Sequence, residues 1–435
     1  GDEATKTEWK TCKKCQSRKR KEGLKDEHEL QSYFIKRIEK FINSKGRKLI
    51  GWDEILEGGL APQATVMSWR GFKGGIEAAR SGHDVVMSPT SHCYFDYFQG
   101  PRDLEPTAFG GNLPISKVYT FEPVPAELNE EEAKHILGGQ ANLWTEHVPT
   151  PEHSDYMTFP RLAAMSEALW SSKENRDWDC FVSRLDKQLK RYESGGVNFA
   201  NSLYNVKAIS VFDSTKRSIS IELKPELLSG EIRYTLDGAD PTANSTLYSE
   251  PFELKQTAVV KTAQFKDGKM ISKIMPSEFF IHKATSAKVE YLEPYTRRYK
   301  GQGDITMVNS TLGSKNHNDG QWHGYKGNIN VKIDLGSIMG INKVDINFFQ
   351  SAKSWILLPQ KVTVLISTDG ENFKVTGDAI HNYTGQEGTL IHRFTVDCKE
   401  IARYVQVKAE NTVLPEWHSG AGSPAWMFVD EIVVE

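Results

Sequence analysis

Four short apolar runs, at about 47–52, 64–69, 84–89 and 136–143, alternate with helix-like stretches or long loops through the first 200 residues. Strands separated by helical crossovers pair in parallel, so this alternation predicts an α/β architecture. The helical pattern is clearest early. Asp26 and Glu29 make a start resembling a capping box, then Leu30, Tyr33, Phe34, Ile38, Phe41 and Ile42 follow helical spacing, and Gly46 lies just past the end. A short helix is predicted over Gly75 to Ser81, and two more near 156–172 and 177–194, the last closed by Gly195-Gly196. A closed β/α barrel needs eight strands. Four such strands make half a barrel, with two unpaired edges and an uncovered apolar face.

From about residue 206 the pattern changes to all-β. Ser218-Ile219-Ser220-Ile221-Glu222-Leu223 alternates in the manner of a half-buried strand, and Ile232 to Gly238 reads as a strand ending in a turn. Residues 206–283 suit a small β-sandwich. A linker around 283–286 leads to 287–435, where Ile329–Leu335, Lys343–Phe348, Lys361–Ser367 and Tyr404–Ala409 are spaced as in a jelly roll or larger sandwich. At 435 residues, a division into about two to four domains is expected.

Composition excludes several classes. A net charge of −3 gives no electrostatic reason to bind nucleic acid. The basic run Lys13 to Lys21 reads as a solvated loop leading into a helix. No stretch is long and apolar enough to cross a bilayer as a helix. Cys12 and Cys15 form a CxxC, but zinc would want two more ligands at similar spacing, so a local clip or a pair of free thiols is expected. Cys93, Cys180 and Cys398 are scattered and imply no disulfide framework.

The chemistry concentrates where strands end. Leu49-Ile50-Gly51-Trp52-Asp53-Glu54, Val66-Met67-Ser68-Trp69-Arg70 and Ala141-Asn142-Leu143-Trp144-Thr145-Glu146 each run from an apolar stretch into Trp and polar residues, and Asp2-Glu3 pairs two carboxylates near the start. Aromatic and acidic side chains at the C-terminal ends of barrel strands are the materials of a sugar pocket. These motifs, in this order, resemble the second half of the catalytic barrel of glycoside hydrolase family 20, the β-N-acetylhexosaminidases. The resemblance implies Glu3 as general acid/base and Asp2 as the residue that orients the substrate's acetamido group. It implies that Trp52, Trp69 and Trp144 box the sugar. Tyr94 would hydrogen-bond the acetamido carbonyl, while Asp96 and Glu146 would bind sugar hydroxyls. The implied reaction is exo-acting, retaining and substrate-assisted, with no cofactor in catalysis. Asp53 and Glu54 are left outside the site, and Arg161 and Glu167 are expected to be structural.

The pattern departs from the family in one respect: strands one to four, and an arginine carried by the first, have no counterpart, so a missing N-terminal barrel half is expected as partner. Residues 206–283 resemble the small β-domain often found after such barrels. Residues 287–435, through Asn318-Asp319-Gly320-Gln321-Trp322, Val331 to Gly336, Ser367 to Gly370 and Val429 to Ile432, resemble discoidin-like (coagulation factor 5/8 type C) domains and family 32 carbohydrate-binding modules. That resemblance implies a candidate structural calcium at Asp319 and Glu431, and glycan stacking by some of Trp322, Tyr325, Trp355 and Trp417. The expected partners are glycans with terminal N-acetylhexosamine, and the expected location is extracytoplasmic. The alternative reading is a non-catalytic glycan-binding or adhesion protein.

Overall fold

The computed structural model describes residues 6–213 and 218–435. Asp2 and Glu3 therefore lie outside the described residues. The chain divides into two compact units, Gly1–Asn205 and Val206–Glu435.

The first unit is built on helices α1 (Lys6–Thr11), α2 (Lys13–Glu22) and α3 (Glu27–Ser44) and strands β1 (Ile50–Trp52), β2 (Thr65–Ser68) and β3 (Val85–Met87). Helices α4 (Lys73–Arg80) and α5 (Thr90–Cys93) flank β3. Then come β4 (Tyr97–Phe98), β5 (Phe109–Asn112), α6 (Ile115–Tyr119), α7 (Glu130–Ala133) and β6 (Ile136–Gly139). Helices α8 (Pro151–Thr158), α9 (Arg161–Trp170) and α10 (Trp178–Ser194) close the unit. The main sheet is parallel, in the order β1-β2-β3-β6. It is the four-stranded partial barrel that the alternation predicts.

Local chemistry explains the elements. Asp26 caps α3 by accepting from the Glu29 N–H at 2.9 Å. The basic run is not a loop: Lys13 to Lys21 lies inside α2, with Cys12 as N-cap and Gly23 as a left-handed C-cap. Lys and Arg are good helix formers, and those of the last turn meet the negative end of the helix dipole. The single helix expected over 156–172 is two. Pro160 lacks an N–H and biases the preceding residue away from helix, and Phe159 is extended (φ −103°, ψ 142°).

One face of this unit is uncovered among the described residues. Phe34 and Phe41 on α3 are about 60% exposed (59% and 62%), and Ile50 on β1 is 51% exposed. Between α3 and β1 runs an open groove of about 680 Å³ lined by Trp9, Leu30, Phe34, Leu49, Ile50 and Ile55. Two buried acceptors among its lining residues, Gln31 Oε1 and Glu54 Oε2, receive no hydrogen bond among the described residues.

The second unit is antiparallel β. Strands β7 (Val206–Asp213), β8 (Ser218–Pro225), β9 (Glu231–Thr235), β10 (Thr246–Leu247), β11 (Phe252–Leu254), β12 (Ala258–Lys266), β13 (Lys269–Met270) and β14 (Met275–Phe279) form a three-stranded sheet, β11-β8-β7, and a five-stranded one around β12. Val206, Ile219, Ile221, Val260 and Phe279 pack into the core of this small sandwich. Strands β15 (Lys288–Tyr291), β16 (His323–Tyr325), β17 (Ile329–Gln350), β18 (Lys361–Ser367), β19 (Lys374–Ile380), β20 (Leu390–Glu410) and β21 (Met427–Val434) make the discoidin-like sheet. Strands β17 and β20 are 22 and 21 residues long and pair along their length, with register shifts between Asp334 and Met339 and between Ile341 and Lys343. Such shifts bend a long strand so that its two ends can serve different faces of a sandwich. The core is dense, with Val331, Ile333, Val344, Ile346, Phe348 and Val407 at most 1% exposed.

Candidate active site

The site gathers at the C-terminal ends of the parallel strands. Trp52 ends β1, Trp69 follows β2, and Trp144 lies five residues beyond β6. Tyr94 and Asp96 come after α5, where the chain runs extended: Tyr94 bridges in parallel to Asn142, and the Phe95 N–H donates to the Asn142 carbonyl at 2.7 Å. Alternation along an extended chain puts Tyr94 and Asp96 on one side and Phe95 on the other. Phe95 turns inward onto the Arg161 guanidinium, 4.8 Å from its ring centroid.

Trp52, Trp69, Tyr94, Asp96, Trp144 and Glu146 line one open cavity of about 480 Å³. The Trp52 and Trp144 rings are 5.9 Å apart and tilted by 46°, while Trp69 and Tyr94 are stacked at 6.3 Å. Trp144 and Glu146 are exposed at the rim, and Tyr94 and Asp96 are buried. Burial pushes the Asp96 carboxyl up to about 6, with Glu146 adding to the rise and the Asp96 backbone and Arg161 opposing it. Asp96 Oδ1 is buried and receives no hydrogen bond among the described residues. An acceptor without a donor, beside aromatic faces, suits a ligand rich in hydroxyls.

Sequence reasoning missed part of the wall. Tyr97, Phe109, Gly110 and Gly111, from the β4–β5 ribbon, complete the cavity. The Gly111 backbone lies so close to Tyr97 that a Cβ there would sit 2.0 Å from the ring. The signal was the pair Gly110-Gly111 directly after Phe109. Asp53 and Glu54, left outside the site, hold its aromatic wall in place. Glu54 Oε1 accepts from the Trp69 indole N–H at 2.9 Å, and Asp53 Oδ2 accepts from the Trp69 and Arg70 N–H groups at 3.1 and 3.2 Å. Arg70 closes on Asp53 from the other side. Arg161 is structural: it is fully buried and donates to the carbonyls of Phe95, Tyr97, Leu113 and Met157. Glu167 accepts from the Tyr119 hydroxyl at 2.8 Å and pairs with Arg184.

The geometry coincides with a family match. Residues 1–173 match the model of the glycosyl hydrolase family 20 catalytic domain. Residues 1–173 are matched as a partial family 20 catalytic domain. The family 20 segment is followed by matches to the Fn3-associated domain over residues 221–279 and the F5/8 type C domain over 298–428. The chain is 44% identical over 280 residues to a β-hexosaminidase of Porphyromonas gingivalis, which covers 63% of this chain and 35% of the relative. It is 34% identical to a β-hexosaminidase of Vibrio furnissii over 38% of this chain and 28% of the relative. Among solved structures, the family 20 exo-β-N-acetylglucosaminidase of Vibrio harveyi in complex with N-acetylglucosamine is 34% identical, covering 44% of this chain and 30% of that one, with a TM-score of 0.40. The chain thus spans about a third of the length of the curated relatives it matches.

In the F5/8 type C region the loop aromatics separate. Trp322 and Tyr325 are 1% exposed and belong to the core, which corrects their expected place among glycan-stacking residues. All three residues of β16 are buried, so neither face of that strand is free. Trp355 and Trp417 are 41% and 45% exposed and flank His418 at ring distances of 5.6 and 5.7 Å.

The residues expected to hold calcium do not fit the ion. Glu431 is fully buried, and its carboxylate accepts from the backbone N–H groups of Ser310 and Asn309 at 2.8 and 3.0 Å and from His282 Nε2 at 2.7 Å. His282 Nδ1 accepts from the N–H groups of Ala284 and Val434, which leaves the proton on Nε2. Asp319 accepts from the N–H groups of Ser314 and Gln321 at 2.6 and 2.8 Å. Carboxylates ringed by N–H donors are already satisfied and present positive, not negative, surroundings to a cation. Among the described residues, no three or more His, Cys, Asp or Glu side chains converge to hold a metal.

Proposed function

We propose that the family 20 segment is the C-terminal part of an exo-acting, retaining β-N-acetylhexosaminidase that removes terminal β-linked N-acetylhexosamine by substrate-assisted hydrolysis. The observation that carries this reading is the meeting of Trp52, Trp69, Tyr94, Asp96, Trp144 and Glu146 in one cavity, although they come from four separate stretches of chain. The tryptophans supply flat faces for the pyranose ring and the acetamido methyl. Asp96, buried with an acceptor oxygen free of described donors, suits a sugar hydroxyl, and Glu146 at the rim suits the hydroxyls of a non-reducing end.

In this reaction the acetamido oxygen of the sugar attacks the anomeric carbon, and Asp2 holds the acetamido N–H and offsets the positive charge that develops. Glu3 protonates the leaving oxygen, then removes a proton from the water that opens the cyclic intermediate. The open apolar groove between α3 and β1, with two acceptors that meet no donor among the described residues, supports a complementary barrel half as partner for this face. The exposed pair Trp355 and Trp417 supports an accessory glycan-binding role for the F5/8 type C region, in an extracytoplasmic setting where such polymers occur.

The test uses a form spanning the complete catalytic domain. Glu3→Gln should lower kcat on the order of 10²–10⁴-fold for a poor leaving group and less for dinitrophenol. A thiazoline mimic of the cyclised intermediate should inhibit strongly, and Asp2→Ala should weaken it more than it weakens simple sugar binding. Efficient hydrolysis of glucosides lacking the acetamido group would refute substrate assistance.

A further inference from the structure

The CxxC motif is unused by the proposed hydrolysis, yet its geometry is specific. Cys12 is the N-cap of the ten-residue helix α2 and Cys15 occupies the N3 position. The Cys15 backbone N–H donates to Cys12 Sγ at 3.5 Å, the arrangement in which a serine or aspartate normally caps a helix. Both thiols are free and half-buried rather than sealed in the core. Glu27, an acid whose charge acts on Cys15, is engaged by Lys19 at 2.7 Å and Gln16 at 3.0 Å.

We propose that Cys12 and Cys15 form a reversible redox dithiol, with Cys12 as the attacking sulfur and Cys15 as the resolving one, whose co-reactant is a small-molecule disulfide such as oxidised glutathione. The Cys12 thiolate attacks one sulfur of the disulfide and expels the first glutathione as thiolate. The Cys15 sulfur, after losing its proton, then attacks Cys12 Sγ and expels the second. One protein disulfide forms as one glutathione disulfide breaks. The two protons of the cysteines end on two glutathione thiols, and two electrons pass from the protein sulfurs to glutathione.

Division of labour between the sulfurs follows from their surroundings. The N–H of Cys15, the Cys15 thiol and Lys14 all favour a negative Cys12 and lower its pKa, whereas the same contact with Cys12 raises that of Cys15. The chain contains its own control. Cys180 sits at the same N3 position of α10, but there the cap is Asp177, which accepts from the Cys180 N–H at 2.8 Å. A carboxylate beside the thiol raises its pKa. Cys180 is the more exposed thiol, and should be the less reactive.

Two measurements on the 435-residue chain test this. Iodoacetamide at pH 7 should modify Cys12 at least about 10-fold faster than Cys180. Equilibration in buffers of graded reduced-to-oxidised glutathione ratio, followed by peptide mass spectrometry, should show a Cys12–Cys15 disulfide with a two-electron dependence on that ratio. Cys15→Ser should keep Cys12 fast and trap it as a mixed disulfide with glutathione, while Cys12→Ser should leave Cys15 slow. The proposal is overturned if Cys12 reacts no faster than Cys180, if no intramolecular disulfide forms at any ratio, or if the trapped adduct is found on Cys15.

Discussion

The two sheet-forming regions solve the same burial problem in opposite ways. In the F5/8 type C region, strands of more than twenty residues pair antiparallel, fold back through register shifts and enclose a dense core that includes Val331, Ile333, Val344, Ile346 and Phe348. In the family 20 segment, strands of three or four residues pair in parallel, and Phe34, Phe41 and Ile50 remain largely exposed. An antiparallel sandwich can complete its core from one stretch of chain. A parallel sheet needs both faces and both edges covered. What differs is therefore whether the apolar faces find their cover among the described residues.

Core truncation should give the largest contrast in stability. Phe348→Ala in the F5/8 type C core should cost about 3–5 kcal/mol, whereas Ile50→Ser at the open edge should cost less than about 0.5 kcal/mol in this chain. Chemical denaturation measures both, and similar costs would erase the contrast. The open segment nonetheless has one tightly built point. Arg161→Met removes the donor shared by four carbonyls, three of them buried, and should cost about 3–5 kcal/mol, localised to the family 20 segment. A neutral result there would mean that water replaces the guanidinium.

Smaller effects belong to the pocket. In a form spanning the complete catalytic domain, Glu54→Ala should free the Trp69 indole and weaken N-acetylglucosamine binding about 10-fold, with the fold unchanged by circular dichroism. Sugar affinity should also fall as the pH drops through about 6. Asp96 must be ionised to act purely as an acceptor, and its raised pKa puts its protonation there rather than near 4. Titration calorimetry from pH 5 to 8 should show this fall, and Asp96→Asn should flatten it. At the other end of the scale, a chelator should leave the melting temperature of the F5/8 type C region unchanged, because Glu431 is satisfied by N–H donors. A chelator-induced drop would restore a metal to that site.

Much of this was legible in the amino-acid sequence where local rules suffice. The Asp26 cap and apolar spacing of α3, the four parallel strands and the change to all-β texture near residue 206 all depend on neighbours in sequence. Trp52, Trp69 and Trp144 were legible because each ends an apolar run, whereas Tyr94 and Asp96, which follow α5, were named only through the family resemblance. What escaped depends on tertiary surroundings. Pro160 splits a run whose apolar spacing continues through it, and the basic run forms a helix although charge alone suggested a loop. Trp322 and Tyr325 sit beside turn residues in sequence but inside the core in space, while Trp355 and Trp417 reach solvent. The support given to Trp69 by Asp53 and Glu54 needed the β1–β2 register, which no single stretch of sequence specifies.

The most direct test of the account is turnover of a chromogenic N-acetyl-β-glucosaminide by the 435-residue chain, measured alone and in a form that adds the complementary barrel half. The account predicts little or no hydrolysis by the chain alone, and Glu3-dependent hydrolysis once the open β1 edge is covered. Turnover by the chain alone at the rate of the completed form would contradict it.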